Sequence, residues 1–358
     1  MTSTAVVTLP AATLSPSESA FWRARLAPYC ERNPWRAAWL VVSSFAPWGA
    51  AWYLAYRSLA LPYGWTLMCA ALIAALQVRI FTIQHDCGHG SFTKHRWLAD
   101  LVGVVCSLVT IVPYHEWRRH HVLHHATAGM LERRGHGDVW TMTVPEFAAA
   151  PPHTRLQYRL FRHPLVMFVV GPPLLFMAMR RWPTETPRSW RVERLGVYLT
   201  NVALAALYGL ACLVIGWSAF LWIYLPTIVM MSWMGAWIFY IEHQFEHTYW
   251  APEAAWSWER AALEGSSYYV LGPVLQWFAN SVNLHHVHHA SPRVPSYNLQ
   301  RCHDEIAELR GVRPVTLRGA LGSIRLTLWS ESKQRLVSFR AAEEEIAECT
   351  SGAAARAA

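Results

Sequence analysis

The chain has 358 residues, 53% of them hydrophobic and only 15% charged, well under the roughly 25% charged residues of an average soluble domain, so lipid rather than water is the solvent for much of it. The net charge is +8, yet no basic stripe accompanies a recognisable binding motif, which argues against a nucleic-acid partner. Seven scattered Cys without a CxxC pair exclude a disulfide framework and a thiolate metal site; Cys69, Cys106 and Cys212 lie in apolar runs, where they act as small buried hydrophobes.

Residues 1–36 form a predicted cytoplasmic N-terminal segment. Its first 20 residues lack both a basic n-region and an apolar h-region, so they read as a flexible tail and not a signal peptide. Residues 37–250 follow as a membrane unit with an inserted cytoplasmic segment. A span needs about 20 apolar residues. From Ala37 to Val78 the only charge is Arg57, and Leu61-Pro62-Tyr63-Gly64 marks a turn midway. The 47 residues from Leu195 to Ile241 carry no charge and break near Gly216. Two hairpins, hence four transmembrane helices, are the expectation. The shorter apolar runs Leu98–Val112 and Leu165–Met179 read as interfacial or re-entrant. Lys and Arg crowd the stretches before Ala37, from Lys94 to Arg194, and the C-terminal region. By the positive-inside rule both termini and the middle segment face the cytoplasm. Residues 251–350 read as a cytoplasmic cap with helices around Asn298–Arg310 and Leu326–Ala347, and 351–358 as a disordered tail. The fold class is therefore an all-α integral membrane protein with a cytoplasmic helical cap.

The 18 His are not evenly spread. His85 and His89 stand at i, i+4 where the second span reaches the cytoplasm. His121, His124 and His125 stand at i, i+3, i+4, and His285, His288 and His289 repeat that spacing. Such positions share one helix face, so each cluster presents two or three imidazoles to one point. His243 ends the fourth span on the same side. Ionisable groups at membrane depth are costly and mark function. Nine candidates suffice for two metals with four or five nitrogens each, and spacing leaves the choice between iron and zinc open. The register has alternatives: His120 also lies four residues before His124, His286 adjoins His285, and His115 and His247 are weaker options. Asp86, Glu116, Asp138, Glu242 and Glu246 are candidate partners for orienting ligand rings.

The run His85-Asp86-Cys87-Gly88-His89-Gly90-Ser91-Phe92 resembles the first histidine box of membrane fatty acid desaturases, and Trp117 to His125 (WRRHHVLHH) resembles the second. His285-His286-Val287-His288-His289, with Pro292 to Leu299 (PRVPSYNL) after it, resembles the third box and its downstream signature in the omega-6 acyl-lipid branch. His243-Gln244-Phe245-Glu246 and Gly265-Ser266-Ser267-Tyr268-Tyr269 are similar to further segments of that branch. Where the branch often carries Gly-Asn-Ile-Gly, this chain has Asn280-Ser281-Val282-Asn283.

The resemblance implies a mushroom-like fold of four membrane helices and a cytoplasmic cap. It also implies two irons held by His85, His89, His121, His124, His125, His243, His285, His288 and His289. It implies dioxygen as co-substrate, and a cis double bond inserted into an acyl chain presented as a lipid or an acyl thioester. The sequence has no haem motif, Cys cluster or dinucleotide loop, so electrons are expected from a separate ferredoxin- or cytochrome-type donor. The basic residues Arg118, Arg119, Arg133, Arg134, Arg155, Arg159 and Arg162 form a face that can steer an acidic one. A hydroxylase, acetylenase or carotenoid-modifying oxygenase on the same scaffold is the alternative reading. The Ala- and Arg-rich composition fits a bacterial inner membrane.

Overall fold

The computed structural model describes residues 16–357. The chain is mostly helical. Helix α1 (Pro16–Leu26) precedes a long α2 (Pro34–Ser58) and α3 (Gly64–His89). Asn33 caps α2 by accepting from the Trp35 and Arg36 amides, each at 3.0 Å, with Pro34 preset at the first helical position. The break between α2 and α3 falls at the predicted Leu61–Gly64 turn. Gly90 ends α3 at φ +69°, a left-handed C-terminus that costs glycine nothing.

Helices α4 (Arg96–Thr110) and α5 (Tyr114–Thr127) form a pair bent by 102°. Short helices α6 (Val144–Ala149), α7 (Pro152–Phe161) and α8 (Gly171–Met177) lead to α9 (Arg191–Ile215) and α10 (Trp217–His243), which meet at Gly216 with φ +84°. Three helices, α3, α9 and α10, are long and apolar enough to cross a membrane, and up to five spans result if each bent pair counts as one. Their burial differs: 56% of the apolar stretch of α3 is buried inside the protein, but only 11% of that of α9. Leu199, Val202 and Leu213 of α9 therefore turn outward, as lipid-facing residues do, while α3 packs against α2, α4 and α10 at the centre.

After α10 come α11 (Trp258–Leu263), α12 (Pro273–Ala279), α13 (His285–Ala290), α14 (Ser296–Glu305), α15 (Ala307–Arg310), α16 (Leu317–Ser323) and α17 (Phe339–Ala357). The fold is not purely helical, as the sequence had suggested. Strands β1 (Met142–Thr143), β4 (Leu328–Ser330) and β5 (Arg335–Val337) form one small sheet, and β2 (Tyr268–Tyr269) pairs parallel to β3 (Pro314–Val315) in another. The predicted helix at Leu326–Ala347 is in its first half the β4–β5 hairpin. Leu328, Trp329 and Ser330 pair antiparallel with Val337, Leu336 and Arg335, and Gln334 turns the chain at φ +48°. The last helix continues to Ala357 through the stretch predicted as a disordered tail, because alanine is the strongest helix former. The first 15 residues of the predicted N-terminal tail lie outside the described residues.

Segment 270–282, within the predicted cap, packs against the long helices. Phe278 packs against the cluster of Ala51, Ala55, Ile73, Leu76 and Ile223 on α2, α3 and α10. Buried Arg79 of α3 donates to the Trp277 carbonyl and lies 4.0 Å from the Trp277 ring. Helix α12 is thereby tied down among the long helices, close to the segment that carries α13.

Candidate metal centre

The ends of α3 and α10, the length of α5 and the short α13 converge. His85, His89, His121, His125 and His288 form one group and His124, His243, His285 and His289 a second, each with its ligand atoms within 4.8 Å of one another. All nine imidazoles predicted from the sequence are thus brought together. In the first group the Nε2 atoms of His85 and His121 lie 3.0 Å apart, those of His121 and His125 3.1 Å, and those of His125 and His288 2.8 Å. In the second, His243 Nε2 lies 3.0 Å from both His124 Nε2 and His285 Nε2. The groups adjoin, with the His125 and His289 rings stacked at 4.1 Å.

The protons decide what these close approaches mean. His243 Nδ1 donates to the Gly265 carbonyl at 2.9 Å, and His124 Nδ1 to the His136 carbonyl at 3.2 Å with Asp138 at 3.4 Å. A neutral imidazole has one N–H, so in neutral rings with Nδ1 donating to these carbonyls both Nε2 atoms carry bare lone pairs. They face each other at 3.0 Å with no proton between them. Such an arrangement repels unless a cation sits within it. Ligands at right angles on metal–nitrogen bonds of about 2.1 Å stand about 3.0 Å apart, which matches. His89 Nε2 and His289 Nε2 are buried without a hydrogen-bond partner. Burial first, and neighbouring imidazoles second, hold His285, His288 and His289 well below the usual histidine pKa, keeping them neutral and able to ligate. The residues present fit a metal centre of two sites.

The family model for fatty acid desaturases matches residues 59–318. The chain belongs to the fatty acid desaturase family. It is 40% identical over 301 residues to a fatty acid desaturase of Bacillus subtilis, covering 84% of this chain and 85% of that protein. It is 29% identical to an sn-1 oleoyl-lipid 12-desaturase of Synechocystis over 72% of this chain and 70% of that one. With a chloroplastic omega-6 fatty acid desaturase of Arabidopsis thaliana it shares 28% identity over 69% of its length and 53% of the relative's. As a desaturase the protein is an oxidoreductase.

Three of the five candidate acids face ligand rings in this desaturase. Asp138 approaches His124, and Glu242 Oε1 lies 3.4 Å from His285 Nδ1. Asp86 Oδ1 lies 3.7 Å from His85 Nδ1, while its Oδ2 accepts from the Ser296 amide and hydroxyl at 2.9 and 2.7 Å. The other two do not. Glu116 binds Arg180 and His120, and Glu246 binds Arg335 at the surface. His286 pairs instead with His303 at 3.1 Å, His115 packs on Gly196, and His247 is exposed.

Sequence reasoning gave no role to three supports. Trp117 stacks on His121 at 4.6 Å, and Gly88 makes room for its ring. Gly137, at φ +74°, lets the 136–138 loop close over His124. Ser296 carries the link from Asp86 to Asn280, whose Nδ2 donates to its hydroxyl at 2.6 Å. Asn280 and Ser281, where the branch often has Gly-Asn, adopt φ +47° and +62°, a region Asn tolerates well.

Proposed function

We propose that the chain is an oxygen-dependent acyl desaturase whose nine histidines hold two iron ions at the cytoplasmic face of a bacterial inner membrane. The observation that carries this reading is the pair of all-imidazole groups, with Nε2 atoms opposed at 3.0 Å, in a chain of the desaturase family. Imidazole suits iron as a ligand. Iron with dioxygen and two external electrons supplies the oxidising power that acid–base side chains lack. One dioxygen, two electrons and two protons are consumed, and two adjacent methylenes become a cis alkene with release of two waters.

The protein's own share is position. The hydrogen bond from His243 to Gly265 and that from His124 to the 136–138 loop fix which ring nitrogen faces inward. Four spans, α2, α3, α9 and α10, fit this reading. Helix α2 packs lengthwise on α3 and turns Trp39, Val42 and Leu54 outward. The substrate is then an acyl chain rising from the bilayer to the ends of α3 and α10, and holding it there replaces the entropy of a chance encounter. An acyl lipid is favoured over a thioester, in keeping with the oleoyl-lipid name of the Synechocystis relative.

Electrons come from a separate small carrier. Its basic seat is narrower than the sequence suggested: Arg118, Arg133, Arg134 and Arg159 are already paired with Asp100, Glu253, Glu146 and Glu343, and Arg162 is turned inward to Gln244. Arg119 and Arg155 are the members of that face without a carboxylate partner among the described residues.

The test is the fatty acid profile of a host membrane expressing the chain beside a His288→Ala control. New unsaturated chains with the wild type and none with the control are expected. Identical profiles, with iron-loaded protein and a donor present, would remove the acyl-desaturase reading.

A further inference from the structure

A cleft of about 880 Å³ opens beside the metal centre, between the end of α10 and α16. No function assigned so far uses it. Its volume is that of a ligand site. Phe245, Leu263, Val315 and Leu326 supply apolar wall, and Ser266 stands at the inner side. Ser266 follows Gly265, whose carbonyl accepts from His243 at 2.9 Å, so one residue separates the cleft from the second histidine group.

Charge accounting narrows the occupant. Three carboxylates line the cleft, and each is already neutralised: Glu246 by Arg335 and Glu264 by Arg260, both at 2.9 Å, and Glu308 by Arg25 at 3.0 Å. Arg313 and His247 line it too and have no ion pair or hydrogen bond among the described residues. The uncommitted charge is therefore positive and suits a phosphate.

Helix α16 fixes the level. Leu317 and Leu321, one turn apart, are 60% and 54% exposed. Ala320 packs on Ile241 of α10, and Gly319, Gly322 and Ser323, on the opposite side from the leucines, line the cleft. Helix α12 follows the strand paired parallel to the one before α16, and it too turns Val274 and Leu275 outward. Outward apolar faces on two helices leaving the same sheet end belong in lipid, at the cytoplasmic end of α10.

We propose that this cleft binds the phosphate-bearing head and first acyl carbons of a membrane phospholipid, the molecule whose chain is desaturated. Arg313 takes the phosphate and the bare side of α16 admits the chain. The assignment rests on the desaturase reading for its substrate, but binding is measurable without turnover. The iron-loaded chain is reconstituted in nanodiscs with a phosphatidylglycerol carrying a diazirine near one ester, and photolysed without reductant. Labelling of 319–326 and Phe245 is expected. It should fall at least five-fold in Arg313→Glu and in Gly322→Trp, while labelling of outward α9 residues such as Leu213 stays constant. No heavy atom lies within 4 Å of a Cβ placed on Gly322, so an indole there fills the cleft and not the core. Iron content equal to wild type certifies folding of both variants.

Undiminished cleft labelling in both folded variants, or labelling confined to α9, would overturn the site. Displacement of the probe by oleoyl-coenzyme A but not by excess dioleoyl phosphatidylglycerol would overturn the phospholipid assignment in favour of a thioester. Cleft labelling that responds to both variants, in a chain that makes no unsaturated product, would leave the site standing and remove the desaturase reading instead.

Discussion

The two histidine groups use the same ligand chemistry in different surroundings. All four imidazoles of the second group are buried, whereas His89, His121 and His125 of the first are only partly so. Outer partners differ as well. In the buried group His124 and His243 donate from Nδ1 to backbone carbonyls, and His285 Nδ1 lies 3.4 Å from Glu242. In the open group the one such carboxylate, Asp86, stands 3.7 Å from His85 Nδ1, and Trp117 supports His121 by stacking instead. Two sites with one ligand type are thereby made unequal: a rigid buried one with four nitrogens and a more accessible one with five. The accessible site is the natural port for small polar reagents.

Removing a ligand should give the largest effect and should expose the inequality. His243→Ala leaves three nitrogens of the buried group, and His89→Ala leaves four of the open one. Product should fall by about 100-fold or more in His243→Ala, beyond the 10–100-fold usual for loss of an outer partner, and on the proposed two-iron centre the iron content should fall to about one per chain. His89→Ala should keep more iron. Metal analysis beside product chromatography checks this, and equal iron loss in the two variants would mean the groups are equivalent after all.

Chelation offers a smaller, kinetic contrast. A hydrophilic chelator at neutral pH should strip metal in two phases, the faster from the group containing half-buried His89, His121 and His125. The slower phase should exceed the faster about ten-fold in lifetime, since ligands of the buried group must be uncovered by local opening first. Release in one phase would sink the distinction.

Eight of the nine histidines were legible because their helical spacing is a local property, and His243 because it ends a charge-free apolar run. The division into five and four was not. It depends on how α5 lies between α3 and α10, so that His121 and His125 turn one way and His124 the other. The hairpin turns at Leu61–Gly64 and Gly216 were visible because charge-free runs and turn residues are also local. The β4–β5 hairpin was not, because Leu328-Trp329-Ser330 fits a strand or an apolar helix equally until its partner Arg335-Leu336-Val337 is known. Among the acids, Glu242 and Glu246 looked alike in sequence. Glu242 lies in the last turn of α10 beside His285, whereas Glu246 lies past the helix end on surface Arg335.

That last pair makes a matched test. Glu242→Leu should weaken metal retention about ten-fold, as loss of an outer partner does. Glu246→Leu should shift stability by less than about 0.5 kcal/mol, because an exposed ion pair contributes little. Comparable losses in both variants would place the support of His285 elsewhere than in Glu242.

A further prediction concerns the wall of the open group. A Cβ on Gly88 would stand 2.8 Å from the Trp117 ring, too close for any side chain, so Gly88→Ala must push that ring. Overpacking of this kind costs about 1–3 kcal/mol, partly offset by the roughly 1 kcal/mol that alanine gains over glycine inside a helix. The net should be a drop of a few degrees in thermal midpoint. Because Trp117 stacks on His121, the disturbance should reach the open group and not the buried one. Gly88→Ala should therefore quicken the fast phase of chelation and leave the slow phase unchanged. The double variant Gly88→Ala with Trp117→Phe, which removes the larger ring, should recover most of the lost midpoint. Failure to recover it would show that Gly88 is required by the α3 backbone and not by the indole beside it.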